Sequence, residues 1–333
     1  MTLKLPFDNG NSGRAQVVER IRPKLAWLAQ RGVYLGTSSW KYAGWIGQLY
    51  EEARYVYRGR FSDARFQRMC LSEYAEVFKS VGVDAAYYAF PTRDQLTGWM
   101  DSVPPDFRFS FKVTDDITLK RFPNLPRFGH RAGKPNPDFL NAAKFEELFL
   151  GPCAEFRDRV GVLMFEFTRF HASDFLRGRD FVDALDEFLK RLPAGWDYGV
   201  EIRNATFLQP EYFQMLAQRG VAPVFNSWEA MPPLAEQMAI ASAFAYPEVA
   251  AARLLLKPGR AYADAVARFS PYAELKEAYP EARLAAAGLI QRTVKEGKPK
   301  RSYLYVNNRL EGNAIQTIDA ILEQSQVPGN PGG

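Results

Sequence analysis

The fold is decided by a pattern that is complete within residues 161–203. In order, this stretch reads GVLMFEF at 161–167, FVDALDEFLKRL at 181–192 and WDYGVEIR at 196–203. The outer segments are short, apolar and rich in β-formers, as buried strands are. In the middle segment Phe181, Leu185 and Leu192 recur at helical spacing, so one side of that segment is apolar. The stretch therefore predicts a strand–helix–strand unit.

The same alternation extends along the whole chain. Eight short apolar runs, most of them separated by segments with helical spacing, occupy residues 33–38, 83–88, 107–113, 161–167, 196–203, 221–226, 252–257 and 302–307. Eight strand–helix units in one chain predict an α/β fold of the TIM type, a (β/α)8 barrel. The alternative is an open doubly wound sheet, which usually carries a glycine-rich turn after its first strand. The first run here is not followed by such a turn.

We predict one barrel domain with a short extension at each end. Residues 1–32 form an amino-terminal extension, in which apolar residues between 15 and 29 predict an extra helix that covers the amino-terminal end of the barrel. Residues 33–325 form the barrel, and the Pro/Gly-rich residues 326–333 form a flexible tail.

Composition limits the chemistry and the partners. The 333 residues carry a formal net charge of +5, which suits an anionic partner, and they include 2 histidines and 2 cysteines. A His- or Cys-rich metal centre cannot be built from so few ligands. Cys70 and Cys153 lie far apart without a CxxC motif, and no run is long enough to span a membrane, so we expect a cytoplasmic protein.

The candidate catalytic residues are charged side chains within apolar strands. Glu201 and Arg203 are two residues apart, so they share the inward face of their strand. Buried charges are costly unless they are paired, and this pair is either structural or catalytic. Glu166 lies among apolar neighbours that would raise its pKa, as suits a general acid or base. Lys112 is the matching cation, and a purely structural Lys–Glu network is the alternative.

A second set of polar and aromatic residues lies at or just after the strand ends, where barrels place their active sites. Arg260, Arg309 and Asn313 are predicted to hold an anion, and the aromatic members to form walls for a sugar. Ordinary solvated loop residues are the alternative. The predicted substrate-binding residues are Trp40, Lys41, Tyr42, Asp84, Tyr88, Asn226, Trp228, Lys257, Arg260, Asn307, Arg309 and Asn313.

No cofactor is predicted. The one metal site that the sequence allows is a Mg or Mn ion held by oxygen atoms of Glu201, Asp84 and Asn226. Without a histidine ligand, such an ion would be held weakly.

Several motifs resemble a known family. They are LGTSSWKYAGW at 35–45, FRFSFK at 107–112, VEIR at 200–203 and YVNNR at 305–309. Together they resemble the signatures of the domain-of-unknown-function 72 (DUF72) family, the YecE-like proteins. The resemblance covers roughly residues 33–322 and implies a TIM-type barrel. It implies no established activity.

The leading functional hypothesis is an acid–base enzyme of the hydrolase or isomerase type. Its substrate would be a small anionic, polyhydroxylated molecule such as a sugar phosphate. Nucleic-acid binding or processing by the basic residues within 54–68 and 120–134 is the first alternative, because aromatic and basic residues alternate in the first of these segments. A non-catalytic ligand-binding barrel is the second alternative.

Overall fold

The computed structural model describes residues 11–328 of the chain, with side chains from residue 16 onward. Eight parallel strands form a closed barrel in which each strand pairs with the next and β1 also pairs with β8. The strands are β1 Val33–Thr37, β2 Ser80–Val83, β3 Arg108–Lys112, β4 Val160–Phe167, β5 Asp197–Ile202, β6 Ala222–Ser227, β7 Val249–Leu254 and β8 Arg301–Val306.

Helices surround the barrel and complete the predicted alternation. The α-helices are α1 Asn11–Ala29, α2 Asp63–Ala75, α3 Arg93–Asp101, α4 Asp115–Thr118, α5 Ala142–Phe145, α6 Gly151–Cys153, α7 Gly178–Leu189, α8 Pro210–Gln218, α9 Leu234–Ala239, α10 Tyr262–Phe269, α11 Pro280–Gln291 and α12 Ala314–Gln324. A π-helical turn, Glu146–Leu150, joins α5 to α6, and another, Arg292–Glu296, extends α11. The TIM-type barrel with an extra amino-terminal helix is confirmed.

Two predicted strands lie three residues too far along the chain. The run predicted at 83–88 is a strand only up to Val83, and Asp84–Tyr87 is a turn of 3-10 helix. The run predicted at 252–257 is in fact Val249–Leu254. Three alanines, which have low β propensity, follow Val249 in this strand, so the prediction was placed on the leucines after them.

The centre of the barrel is filled by tyrosine side chains opposite glycines. A Cβ atom on Gly161 would lie 2.8 Å from the Tyr303 ring, and one on Gly82 would lie 3.2 Å from the Tyr305 ring. The Tyr305 hydroxyl donates to Ser110 Oγ at 2.6 Å and lies 2.7 Å from Ser80 Oγ. Glycine at these two positions therefore makes room for an aromatic layer between the two ends of the barrel.

Helix α1 packs beside the barrel, against α12 and β1, through the buried side chains of Ile21, Leu25 and Leu28. Arg20 makes a bidentate ion pair with Asp319 of α12. Helix α1 does not cover the amino-terminal end of the barrel as expected. The cavity at that end is lined by strand starts and loops, without residues of α1.

Residues 1–10 of the predicted extension and 329–333 of the predicted tail lie outside the described residues. Between residues 11 and 328, no helix is both long enough and apolar enough to cross a membrane.

Candidate functional site

The carboxyl-terminal end of the barrel carries a ring of inward polar side chains, one at or directly after the end of each of the eight strands. Side chains alternate between the two faces of a strand, so the inward position that ends each strand falls at the same end of a parallel barrel. In chain order the ring is Ser38, Asp84, Lys112, Glu166, Glu201, Asn226, Arg253 and Asn307. Five of these residues are charged, although most of the ring is buried.

Arg253 is the centre of this ring. Its Nη1 donates to Glu166 Oε2 at 2.6 Å and to Glu201 Oε2 at 2.7 Å, and its Nη2 donates to Asp84 Oδ1 at 2.8 Å. The Arg253 side chain is 3% exposed. One guanidinium thus joins two carboxylates from neighbouring strands with a third that directly follows β2.

Two further cations balance the carboxylates. Arg203 Nη2 lies 2.7 Å from Glu166 Oε2 and 3.1 Å from Glu201 Oε1, while Lys112 Nζ lies 2.9 Å from Glu166 Oε1. The predicted catalytic residues Lys112, Glu166, Glu201 and Arg203 are therefore brought together. With Arg253 and Asp84 they form a charge-balanced network, the arrangement that offsets the cost of desolvating each ion.

The pKa of Glu166 moves opposite to the sequence-based expectation. Burial alone would raise it, but Arg203, Lys112 and Arg253 together hold the pKa of this carboxyl well below its usual range. Burial lowers the pKa of the Lys112 ammonium, and repulsion by Arg253 and Arg203 lowers it as well, whereas the Glu166 carboxylate raises it. The ammonium also lies 3.4 Å from the centre of the Tyr87 ring. The surrounding cations thus favour the ionised form of Glu166, whereas burial favours the neutral form of Lys112.

Three members of the ring present a buried polar atom that has no hydrogen-bond partner within residues 11–328. They are Ser38 Oγ, Asn226 Oδ1 and Asn307 Nδ2. The other atoms of both amides are engaged, since Asn226 Nδ2 donates to Ile202 O and Asn307 Oδ1 accepts from Arg309 N. Buried polar atoms are rarely left unpaired, because each one costs about 1–3 kcal/mol. Such atoms at the mouth of a barrel are suited to binding a polar ligand.

Aromatic rings and arginines surround the mouth. The Arg203 guanidinium lies 3.6 Å from the Trp228 ring centre, and Arg309 lies 4.6 Å from that of Tyr262. Burial raises the pKa of Tyr42 to about 12, while the charge of Arg309 lowers it and that of Asp84 raises it. The predicted residues Tyr42, Asp84, Trp228 and Arg309 are therefore at the mouth.

Other predicted binding residues lie at the edge of the mouth or away from it. Tyr88 is 65% exposed, and the Arg127 guanidinium lies 5.0 Å from its ring. Trp40 does not form a wall, because it is 4% exposed and packs edge-on against Trp99 of α3. Lys41 is exposed above the Trp40 ring, outside the charge network.

The loop after β7 and the start of α12 have protein partners where an anion was expected. Arg260 Nη2 lies 2.5 Å from Glu277 Oε1, and Lys257 Nζ lies 3.5 Å from the same oxygen. Asn313 is the N-cap of α12, and it also donates to Gln48 and Tyr272. Of the predicted arginines, Arg309 alone has no carboxylate partner in the described part of the chain.

Of the three residues considered for a metal, Glu201 and Asp84 have carboxylates bound to protein groups, whereas Asn226 Oδ1 is unpartnered within residues 11–328. Glu201 and Asp84 both accept from Arg253, whose guanidinium lies between them. Among the residues that the structure describes, no group of three or more His, Cys, Asp or Glu side chains could hold a metal ion. The two carboxylates are paired with cationic side chains, so a Mg or Mn ion would have to compete with Arg253 for them.

Arg253 was missed by sequence reasoning, although the signal was present. It is the single charged residue in the run AAARLLL at 250–256. The same signal singled out Glu166 and Lys112. With the strand placed at 252–257, Arg253 falls at its beginning, far from the mouth, whereas the true strand Val249–Leu254 puts it at the end.

Some of the arginines in the two basic segments pair with acidic residues. Residues Val56–Tyr57 and Arg60–Phe61 form a small hairpin, and Arg54 beside it pairs with Glu51 and Glu76. In the long loop, Arg127 pairs with Asp115 and Arg131 pairs with Asp116. Nucleic-acid binding by these segments stays a prediction.

Comparisons with known proteins agree with this architecture. The family model described as "Protein of unknown function DUF72" matches residues 34–331. The UPF0759 protein YecE of Escherichia coli (strain K12) is 24% identical over 189 residues, which are 57% of this chain and 55% of that protein. The match thus spans about half the length of this relative.

Two solved structures share the fold at low sequence identity. A DUF72 family protein from Enterococcus faecalis V583 superposes with a TM-score of 0.58 and 16% identity, covering 89% of this chain and 96% of that one. A DUF72 family protein from Thermotoga maritima MSB8 gives a TM-score of 0.51 and 16% identity, covering 88% of this chain and 98% of that one.

Proposed function

Because this chain belongs to the DUF72 family, described only as proteins of unknown function, we propose its function from the site itself. The protein is an acid–base enzyme that moves a proton on a small anionic, polyhydroxylated molecule of the sugar-phosphate type. The reaction is of the isomerase type rather than the hydrolase type. The substrate binds at the carboxyl-terminal end of the barrel.

The observation that carries this proposal is the set of unpartnered buried atoms, Ser38 Oγ, Asn226 Oδ1 and Asn307 Nδ2. They are neutral, they include a donor and acceptors, and they lie at or directly after the ends of three different strands. Neutral hydrogen-bonding groups beside aromatic rings are typical of sites for hydroxylated ligands. Arg309, which has no carboxylate partner among the described side chains, is the group available to the anionic part of the substrate.

The charge network favours Lys112 as the proton carrier. Hydrolysis by paired carboxylates needs one of them protonated, but three cations keep Glu166 ionised. Both oxygens of Glu201 are held, one by each arginine. Burial lowers the pKa of Lys112, and a base is more effective as its pKa moves toward the working pH.

In the proposed step, the Lys112 amine takes a proton from the carbon beside the carbonyl of an aldose phosphate. The electron pair left on that carbon moves to the carbonyl oxygen, which becomes an enediolate oxygen. Asn307 Nδ2 is a free donor at this end of the barrel for such an oxygen. Return of the proton from Lys112 to the neighbouring carbon, with proton transfer between the two substrate oxygens, completes a balanced isomerisation.

Hydrogen–deuterium exchange tests the proposal even while the product is unidentified. The protein is incubated in D2O with ribose 5-phosphate, glucose 6-phosphate and their ketose isomers, and loss of each C–H signal is followed by proton NMR. We expect exchange beside the carbonyl of at least one sugar, and a rate about 100-fold lower in Lys112→Met.

Two further variants separate catalysis from structure. Lys112→Arg keeps the positive charge next to Glu166 but cannot lose its proton near neutral pH, so it should fold and still fail to exchange. Lys295→Met removes an exposed lysine and should exchange like the wild type. Absence of exchange with every sugar, or normal exchange in Lys112→Arg, would overturn the proposal. Binding without exchange would indicate the non-catalytic barrel instead.

A further inference from the structure

A large cavity opens at the other, amino-terminal end of the barrel. Its volume is about 740 Å³, and its lining comes from the beginnings of strands β3, β4, β5 and β8, from Tyr34 of β1, and from the loops that precede the strands. Small-molecule sites have volumes of about 300–1,000 Å³. The aromatic layer of Tyr303 and Tyr305 separates this cavity from the charge network. It is therefore distinct from the site proposed above.

Cations outnumber carboxylates in this cavity. The charged lining residues are Arg108, Arg157, Asp158, Lys190, Asp197, Arg219 and Arg301. Arg219 and Arg301 have carboxylate partners, Asp186 and Asp197 respectively. By contrast, Arg108 and Arg157 donate only to backbone carbonyl oxygens within residues 11–328. Two guanidiniums thus face the cavity without an ion-pair partner in the described part of the chain.

Arg157 is positioned by the backbone beside it. Its Nε donates to Gly195 O at 2.8 Å and its Nη2 donates to Ala194 O at 3.2 Å. Gly195 has φ +87°, and a Cβ there would lie 1.5 Å from Arg157 Nη2. Glycine is therefore required for the guanidinium to lie against this loop, which holds the arginine in place before any ligand binds.

Aromatic rings supply the other wall. The Tyr34 and Tyr303 rings are stacked, with centroids 5.0 Å apart and planes 10° apart. Tyr303 is buried, while Tyr34, Tyr246 and Trp196 are half-buried, so parts of these three rings face the cavity. Planar aromatic ligands pack favourably on such surfaces.

We propose that this cavity binds a nucleoside monophosphate. Arg108 and Arg157 hold its phosphate in charge-assisted hydrogen bonds, and its base packs on the tyrosine rings. The Asp158 and Asp197 carboxylates are acceptors for the ribose hydroxyls. A nucleoside monophosphate combines an aromatic base, a phosphate and a ribose diol. The cavity offers tyrosine rings for the base, arginines for the phosphate and carboxylates for the diol.

Calorimetric titration of the full chain with AMP, GMP, CMP and UMP tests this site, with adenosine and inorganic phosphate as partial ligands. At least one nucleotide should bind at one site per chain, and about tenfold or more tighter than either partial ligand. The double variant Arg108→Gln/Arg157→Gln should weaken nucleotide binding by about tenfold or more and leave adenosine binding unchanged. The control Arg22→Gln removes an exposed arginine on α1 and should bind like the wild type.

Three results would overturn the site. One is the absence of binding of all four nucleotides up to about 1 mM. The second is wild-type affinity in a double variant whose thermal unfolding shows that it is folded. The third is loss of nucleotide binding in Lys112→Met, which would place the ligand at the mouth. Unchanged binding in Lys112→Met supports the site, whatever the outcome of the deuterium-exchange experiment.

Discussion

The two ends of the barrel satisfy their charges in opposite ways. At the carboxyl-terminal end, three cations and three carboxylates from five strands and the segments that follow them pair with one another. Apart from Arg309, the unpartnered groups of the described residues there are neutral. At the amino-terminal end, a cavity of about 740 Å³ is lined by two arginines that contact only carbonyl oxygens in the described part of the chain.

This difference separates what holds the barrel together from what is available to a ligand. The Arg253 network is buried, so each of its charges depends on its partners for stability. The ion pairs at the amino-terminal end are more exposed, and water can replace a lost partner there. A ligand at the carboxyl-terminal end therefore meets a rigid surface with a few free hydrogen-bonding atoms. A ligand at the amino-terminal end would enter an open cavity and contact Arg108 and Arg157, which have no ion-pair partner among the described residues.

The largest expected effect comes from removing the centre of the network. Arg253→Met leaves Glu166, Glu201 and Asp84 without their shared guanidinium, two of them deeply buried. We expect a loss of about 3–5 kcal/mol in the free energy of unfolding, measured by urea denaturation. The matched change at the other end, Arg301→Met, breaks an ion pair whose arginine is 45% exposed and should cost at most about 1 kcal/mol. Equal losses in the two variants would contradict the comparison.

A smaller effect of pH should have opposite signs at the two ends. The pKa of Glu166 lies below its ordinary value of 4.5 in the folded protein. Glu166 therefore contributes stability that is present above pH 4.5 and is lost as the pH falls through its folded value. Burial raises the pKa of Asp197 above 3.8, so its contribution is present below pH 3.8 and is lost as the pH rises through its folded value.

Urea denaturation between pH 7 and pH 3 measures both effects. Glu166→Gln should lose less stability on acidification than the wild type does, because it has no carboxylate to protonate. Asp197→Asn should lose more, because the opposing contribution is gone. The same pH dependence in Glu166→Gln and the wild type would show that this carboxylate does not depend on its three cations.

The barrel and much of its charge network could be predicted from local sequence. Strand alternation alone puts Glu201 and Arg203 on one inward face, and a charge within an apolar run marks Glu166 and Lys112. Arg253 carries the same mark, but a register error of three residues hid it. The sign of the pKa shift at Glu166 could not be obtained, because it depends on how many cations from other strands reach one carboxylate.

Contacts between distant loops could not be predicted either. Arg260 and Asn313 are residue types that commonly bind anions. In the structure, however, Arg260 pairs with Glu277, and the Asn313 side chain caps the first turn of α12. Arg157 and Gly195 are 38 residues apart, and neither has a local signal that they meet. Spacing within one element predicts which face a side chain lies on, whereas partners from other loops decide whether it is free.

A crystal structure of the protein soaked with ribose 5-phosphate tests the central claim most directly. We predict that the sugar hydroxyls lie within hydrogen-bond distance of Asn226 Oδ1 and Asn307 Nδ2, with the phosphate on Arg309, while the Arg253 network keeps its geometry. The claim would be contradicted by a ligand found only in the amino-terminal cavity. It would also be contradicted if, after soaking, only ordered water were hydrogen-bonded to those atoms at the carboxyl-terminal end.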